Sequence, residues 1–93
     1  MQTKVRAHVT ISGRVQGVFY RMETLRAAER IGVCGWVRNR HDGTVEAVFE
    51  GDKQQVDAIL DWCWSGPDHA RVDDVKLRWE DYTGEFNRFD VTY

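Results

Sequence analysis

The stretch from Gly13 to Arg21 combines two glycines and an arginine in a spacing that could bind an anion. Glycine permits a backbone with positive φ, so successive N–H groups of a loop at this position can point towards one anion. A helix predicted to begin at Phe19 or Tyr20 would add the partial positive charge of its N-terminus. The sequence therefore predicts an anion site made of loop amides and one guanidinium.

Arg21 is an unfavourable residue for the first turn of a helix unless an anion lies beside it. A cation there faces the like-signed end of the helix dipole, which costs roughly a few tenths of a kcal/mol. On its own, such an arginine is more often an ordinary surface residue, and a bare pair of glycines more often belongs to turns. The pattern also does not distinguish phosphate from carboxylate as the anion.

The anion-binding stretch lies between a predicted strand and a predicted helix. The strand runs from Val5 to Ser12 and alternates apolar with polar side chains, which is typical of a sheet with one partly solvated face. The helix continues to Ile31, and Gly32 ends it. The stretch between the two elements is therefore predicted to be a loop.

A predicted hairpin places Asn39 at the end of a second strand. Val33 to Asn39 and Thr44 to Gly51 are predicted strands, and the Asp-Gly pair at Asp42 between them is a strong turn signal. Taken alone, Asn39 would be a common residue for entering a turn. Its position becomes informative only in combination with the anion-binding stretch.

The rest of the chain predicts one more helix and two more strands. Asp52 and Gln55 resemble a capping box at the start of a helix, and Pro67 stops that helix. A fourth strand from about Arg71 to Glu80 has one apolar face, and a short fifth strand follows. Residues expected on the apolar sides of these two strands are Val75, Leu77 and Trp79, and Phe89, Val91 and Tyr93.

The order of the predicted elements indicates the fold. Strand, helix, strand, strand, helix, strand and a short closing strand form the split β-α-β pattern of a ferredoxin-like α+β sandwich. In that fold both helices cover one face of an antiparallel sheet. We expect a single domain over residues 1–93, because a chain of this length can build one hydrophobic core.

Composition is that of an ordinary globular domain. The 93 residues are 42% hydrophobic and 30% charged, and no apolar run is long enough to span a membrane. The net charge of −2 and the pI of about 5.9 argue against a nucleic-acid binder, which needs a basic excess. The N-terminus has no signal-peptide pattern, so we expect a cytoplasmic protein without a membrane partner, and we expect a monomer.

Cysteine and histidine spacing favours neither a metal site nor a redox motif. Cys34 and Cys63 fit no CxxC pattern and are expected to be two small thiols, although a disulfide between them stays open at this stage. His8, His41 and His69 lie far apart and are expected to be surface or turn residues. No cofactor and no metal are therefore predicted.

Two segments together resemble the motifs of the acylphosphatase family. They are Gly13-Arg14-Val15-Gln16-Gly17-Val18-Phe19-Tyr20-Arg21 and Gly35-Trp36-Val37-Arg38-Asn39-Arg40-His41-Asp42-Gly43-Thr44-Val45-Glu46. The resemblance extends over the whole chain, and Tyr20 departs from it because the family more often has Phe there. It implies the ferredoxin-like fold and hydrolysis of a small-molecule acyl phosphate to a carboxylate and inorganic phosphate, without a covalent nucleophile or a metal.

The same resemblance implies roles for individual residues. Arg21 matches the catalytic arginine and would bind the phosphoryl oxygens through its planar guanidinium. Asn39 matches the catalytic asparagine and would orient the attacking water, while an oxygen of the phosphate accepts the proton of that water. Backbone amides are expected to bind the phosphoryl group together with Arg21, and they are those of Gln16, Gly17, Val18, Phe19 and Tyr20.

Two further interpretations stay open from the residues alone. Arg14, Arg38 and Arg40 are either solvated surface charges or part of a positive field that steers an anionic substrate. A non-catalytic module with the same fold, either a phospho-ligand sensor or an RNA-binding domain, is the alternative function. An RNA reader would need exposed aromatic residues on the central strands, whereas the predicted outer face is polar.

Overall fold

Residues 3–93 are described by a computed structural model, in which two helices and five strands follow the predicted order. The elements are β1 (Lys4–Arg14), α1 (Tyr20–Ile31), β2 (Cys34–Asn39), β3 (Val45–Asp52), α2 (Lys53–Ser65), β4 (Arg71–Glu80) and β5 (Phe89–Val91). Local signals explain several of these boundaries. Gly32 ends α1 in the left-handed conformation, with φ 101°, and its N–H donates to the carbonyl of Ala28 over 2.7 Å. At the start of α2, the N–H of Asp52 donates to Gln55 Oε1 over 3.1 Å, as a capping box requires.

The five strands form one sheet in the order β4-β1-β3-β2-β5. β1 pairs antiparallel with β3 and β4, and β2 pairs antiparallel with β3, but β5 pairs parallel with β2. The ferredoxin-like α+β sandwich is therefore confirmed, while the expectation of a wholly antiparallel sheet is wrong for β5. Because β1, β2 and β5 run in the same direction, their C-terminal ends meet at one end of the sheet.

Both helices pack on the same face of the sheet and on each other. The core between the layers is made of the inward side chains of the central strands and the apolar stripes of the helices. It includes Ala7, Val9, Ile11, Val45, Ala47, Phe49, Ala27, Ala28, Val56 and Ile59, all at most 1% exposed. This packing fixes the start of α1 and the end of β2 relative to each other.

The outer face of the sheet is less solvated than the alternating pattern predicted. Glu46 and Glu50 on β3 are only 6% and 3% exposed. Arg6 contacts Glu50 and Glu80 at 3.2 and 3.0 Å, and His8 lies between Glu46 at 2.6 Å and Glu80 at 2.9 Å. His8 therefore forms hydrogen bonds within this network of charged side chains, and its assignment as a surface or turn residue is wrong. The cause is register, since alternate residues of three adjacent strands bring opposite charges together.

Two other expectations are settled by the described residues. Within residues 3–93, Cys34 and Cys63 are both free thiols, so the disulfide left open by the sequence is not formed. Neither helix of this part of the chain combines the length and the apolar composition that crossing a bilayer requires.

Candidate active site

The loop between β1 and α1 has a strained backbone that exposes its amides. Phe19, the N-cap of α1, has φ 63° and ψ 22°, and Gly17 has φ 75°. Phe19 is the one non-glycine residue with positive φ in the described chain, a conformation that costs a residue with a Cβ about 1–2 kcal/mol. Within residues 3–93, none of the N–H groups from Gln16 to Phe19 donates to a backbone carbonyl. Such strain at a loop with free donors is typical of a ligand site.

Gly13 does not belong to this loop, contrary to the sequence prediction. It lies within β1 beside a register shift, opposite Val72 of β4, with φ 125°. A Cβ at this position would overlap the carbonyl oxygen of Arg71. Gly13 is therefore required for close approach of two strands, and Gly17 is the glycine that shapes the loop.

Arg21 projects from the first turn of α1 without a carboxylate partner. Its guanidinium carbon lies 5.1 Å from the centre of the Tyr93 ring, a cation–π distance. Over residues 3–93, the ion pairs of the protein do not include Arg21. Its donors are therefore available to an anion.

Asn39, the last residue of β2, has a buried oxygen that lacks a hydrogen bond. In the described part of the chain, Oδ1 of Asn39 is one of two buried side-chain polar atoms without a hydrogen-bond partner. An unpaired buried acceptor costs about 1–3 kcal/mol, so it indicates a place for a water or a ligand donor.

Two adjoining cavities share Arg21, Asn39 and Tyr93. The smaller, of about 330 Å³, has a mostly apolar surface, and the larger, of about 730 Å³, is lined mainly by polar and charged residues. The smaller is also lined by Val15, Gly17, Phe19, Tyr20, Met22 and Val91, and the larger by Gln16, Arg38, Arg40, His41 and Asp42. Side chains from the first helix and from the hairpin therefore face one common space.

Gln16 connects the loop to the hairpin through its side chain. Its Nε2 donates to the carbonyl of Arg40 over 2.8 Å and to that of Thr44 over 2.9 Å. Sequence reasoning assigned Gln16 only a backbone N–H, because no local pattern reports which distant carbonyls a side chain reaches. The contact fixes the distance between the loop and the strand end that carries Asn39.

The other predicted loop residues contribute in different ways. Val18 lines neither cavity, and its side chain is 6% exposed in the core, so that only its backbone can face an anion. Tyr20 is buried, and its hydroxyl donates to the carbonyl of Cys63 over 2.7 Å. Burial raises the pKa of that hydroxyl.

Tyr93, expected on the apolar side of β5, is instead 95% exposed over Arg21. Sequence reasoning missed Tyr93 as a site residue, and it also missed Met22, which lines the smaller cavity.

The arginines of the hairpin are largely neutralised. Arg38 contacts Glu46 at 2.7 Å, and Arg40 lies 3.7 Å from Asp42 and 3.9 Å from Glu46. Burial favours the neutral form of Glu46, but hydrogen bonds from His8 and Arg38 outweigh burial and lower the pKa of its carboxyl. Arg38 and Arg40 are therefore paired with carboxylates and not simply solvated, whereas Arg21 is not.

Comparison with known proteins decides the family. The sequence model described as acylphosphatase matches residues 7–91. The chain belongs to the acylphosphatase family. The resemblance read from the two motifs is confirmed, and so is the expectation that the protein is an acylphosphatase, a hydrolase.

Individual acylphosphatases are similar over nearly the whole chain. An acylphosphatase of Pelotomaculum thermopropionicum is 53% identical over 91 residues, which are 98% of this chain and 99% of that protein. The crystal structure of an acylphosphatase from Bacillus subtilis has a TM-score of 0.92 at 28% identity, covering 96% of this chain and 99% of that one. The structure of an acylphosphatase from Coxiella burnetii has a TM-score of 0.86 at 37% identity, covering 96% and 93%.

Proposed function

We propose that this acylphosphatase hydrolyses small-molecule acyl phosphates with the loop amides, Arg21 and Asn39 as its working groups. The observation that carries the proposal is the common space between the loop and the hairpin. An unpaired guanidinium and an unpaired amide oxygen, from residues far apart in the chain, line it together.

The loop and Arg21 bind the phosphoryl group. The free N–H groups from Gln16 to Phe19 and the first-turn amides of α1 surround the position that a tetrahedral anion would take. Arg21 adds a planar pair of charged donors, which binds phosphoryl oxygens more strongly than neutral donors do. These groups neutralise the charge that spreads over the phosphoryl oxygens in the transition state.

Asn39 positions the attacking water. Its Oδ1 accepts a hydrogen bond from the water, which gives that buried atom the donor it otherwise lacks. The water oxygen forms a bond to phosphorus while the bond from phosphorus to the carboxyl oxygen breaks, and the acyl group leaves as a carboxylate. The proton of the water passes to a phosphoryl oxygen, since a carboxamide is too weak a base to take it.

A single chain supplies all of these groups, so we propose that residues 1–93 act as one domain and that a monomer is sufficient for activity. Light scattering coupled to size-exclusion chromatography measures the molar mass and so tests whether the protein is a monomer. Location in the cytoplasm stays a prediction.

The RNA-binding alternative gains no support from the sheet, because ion pairs occupy its outer face.

The proposal is tested by phosphate release from acetyl phosphate and benzoyl phosphate in the presence of a chelator. We expect activity in the unaltered protein and a loss of at least about 10²–10³-fold in kcat for both Arg21→Ala and Asn39→Ala. Arg21→Lys should also lose most activity, because an ammonium cannot replace the two parallel donors of a guanidinium.

Arg26→Ala is the matched control. Arg26 is an exposed arginine of the same helix whose guanidinium contacts Glu23 at 2.8 Å, away from both cavities. Its removal should leave kcat unchanged. Absence of chelator-resistant hydrolysis, or full activity in Arg21→Ala, would contradict the proposed function.

A further inference from the structure

His8 lies between a carboxylate of β3 and a carboxylate of β4, with partners for both of its protonation states. Its Nε2 lies 2.6 Å from Glu46 Oε2, and its Nδ1 lies 2.9 Å from both Glu80 Oε2 and Arg78 Nη2. A neutral ring protonated at Nε2 donates to Glu46 and accepts from Arg78, whereas an imidazolium donates to both carboxylates. The surroundings of His8 therefore accommodate the neutral and the charged ring.

Glu46 is shared between His8 and the two arginines of the hairpin. Its Oε1 accepts a hydrogen bond from Arg38 over 2.7 Å, and its Oε2, which contacts His8, lies 3.9 Å from Arg40 Nη1. Because Glu46 is nearly buried, its negative charge is compensated by these three neighbours and little by water. A charge gained on His8 therefore reduces the demand of Glu46 for the arginines.

Arg40 connects this network to the candidate active site. It lines the larger cavity of that site, and it also lines a separate cavity of about 340 Å³ on the outer face of the sheet, next to His8 and Glu46. Its side chain is 43% exposed, and its contacts with Asp42 and Glu46, at 3.7 and 3.9 Å, are long for ion pairs. Arg40 can therefore turn towards an anion in the larger cavity without breaking a short hydrogen bond.

We propose that His8 is a positioning residue for substrate binding, whose protonation compensates the charge of Glu46 and leaves Arg40 to bind the anionic substrate. The inference rests on the proposed function, in which the substrate anion lies in the space that Arg40 borders. With His8 neutral, the charge of Glu46 opposes the positive field of the two hairpin arginines. With His8 protonated, the imidazolium compensates that charge, so the larger cavity is more positive and binds a dianion more tightly.

The other charged groups around His8 do not titrate in the same range. Those described residues that contact it, share a carboxylate with it or line the same outer-face cavity, besides Glu46, are Arg6, Arg38, Arg40, Lys76, Arg78 and Glu80. The five cations stay protonated well above neutral pH. Hydrogen bonds from His8, Arg78 and Arg6 lower the pKa of Glu80 to about 2. Histidine is therefore the one residue type of this described set that titrates between about pH 5 and 8.

Sulfate is the probe for the test, because it is a tetrahedral dianion whose charge does not change near neutral pH. Its dissociation constant is measured by NMR titration of the methyl signals of Val15 and Val91, which line the candidate site, so that no hydrolysis is needed. All proteins carry His41→Gln, since His41 lines the larger cavity and would add its own titration.

In this background we expect sulfate to bind about three- to fivefold more tightly at about pH 6 than at about pH 8.5, because a positive charge is gained near the anion. Adding His8→Gln should remove that difference and give the weaker binding at both pH values. Glutamine keeps a donor for Glu46 but cannot become charged. A purely structural role of His8 would not change the pH dependence in this way.

His69→Gln is the matched control. His69 lines neither cavity of the candidate site nor the outer-face cavity, so its replacement should keep the pH difference. An unchanged pH dependence in the His8→Gln variant would overturn the inference, even if the enzyme hydrolyses acyl phosphates. Loss of the pH dependence in a protein that hydrolyses no acyl phosphate would support the role of His8 in anion binding and refute the proposed function.

Glu46→Gln tests the intermediate step. Glutamine has nearly the same shape without the charge, so sulfate at about pH 8.5 should bind this variant at least as tightly as it binds the parent at about pH 6. Weaker binding would overturn the inference, because it would show that the carboxylate holds the arginines in place for the anion and does not compete with it. If Glu46→Gln does not fold, the comparison of His8→Gln with His69→Gln decides.

Discussion

The side chain of Gln16 holds two distant segments of the candidate site at a fixed separation. Its amide nitrogen donates to the carbonyls of Arg40 and Thr44 on either side of the hairpin turn. Asn39 directly precedes one of these carbonyls. We therefore expect Gln16 to act as a positioning residue that helps to set where the Asn39 amide lies relative to the loop.

Gln16→Glu should lower the catalytic rate strongly, although glutamate and glutamine have nearly the same size. A glutamate has the same shape, but its ionised carboxylate has no donor and would face two carbonyl oxygens. We expect kcat to fall at least about tenfold while KM for an acyl phosphate changes little, since a small misplacement of the water mainly affects the chemical step. Steady-state kinetics at pH 7 check this.

Partial recovery at low pH would identify the cause. The protonated carboxyl of the Gln16→Glu variant has one donor, so activity of the variant relative to the unaltered protein should rise as pH falls towards about 5. A variant with unaltered kcat at pH 7 would show that the loop keeps its position without the two hydrogen bonds.

Sequence reasoning found the residues that belong to recognisable motifs but not the side-chain contacts between distant segments. Arg21 and Asn39 belong to motifs, and both line the common space. The long-range contacts of Gln16 and the position of Tyr93 over Arg21 depend on how segments 24 and 72 residues apart come together. No local pattern contains that information.

At the level of whole elements, Tyr20 joins the start of α1 to the end of α2. The carbonyl of Cys63 lies in the last turn of α2, where helical carbonyls lack an intrahelical donor. The hydroxyl of Tyr20 supplies one, and the ring packs on Trp62 with centroids 5.4 Å apart. The residue that departs from the family pattern thus has a structural contact between the two helices.

Tyr20→Phe should lower the free energy of unfolding by about 1 kcal/mol or slightly more, because it leaves a buried carbonyl without a donor. Urea denaturation measures the change. Hydrolysis should be retained, since the backbone amide of residue 20 is unaltered.

Tyr82→Phe provides the comparison for this prediction. Tyr82 is 44% exposed, so its hydroxyl can form hydrogen bonds with water. Loss of this hydroxyl should change the free energy of unfolding by less than about 0.5 kcal/mol. Equal effects of the two substitutions would show that the hydrogen bond to Cys63 contributes nothing specific.

Several element boundaries were predictable because their signals are local, as at the Asp42 turn, at Gly32 and at the capping box, whereas the end of β1 beyond Gly13 was not. The burial of both faces of β3 was not predictable. Its outward Glu46 and Glu50 become buried only when β1 and β4 bring Arg6, His8 and Glu80 beside them. Reading one strand at a time cannot reveal which charges face each other across a sheet.

For the whole molecule, the ion-pair network on the outer face of the sheet makes stability depend on pH. Hydrogen bonds from His8, and then from Arg78 and Arg6, lower the pKa of Glu80 from 4.5 to about 2. A carboxyl whose pKa is lower in the folded state than in the unfolded state stabilises the fold above the unfolded pKa. That stabilisation is lost as the pH falls through the folded pKa.

We therefore expect the free energy of unfolding to decrease as the pH falls from about 5 to about 2. Glu80→Gln should be less stable than the unaltered protein at pH 7 and should show a shallower decrease below pH 5. Urea denaturation at a series of pH values measures both. If the free energy of unfolding falls equally with pH in the two proteins, Glu80 does not contribute to the pH dependence of stability.

The candidate site is built from three segments that meet at one end of the sheet, after β1, after β2 and after β5. Residues as far apart as Val15 and Tyr93 line the same cavity. A chain still emerging from the ribosome can pair β1 with β3 and β2 with β3 well before Tyr93 is synthesised. Such a nascent chain has three of the five strands but lacks the ring over Arg21, so the lining of this cavity is complete only once β5 has paired with β2 and Tyr93 lies beside α1.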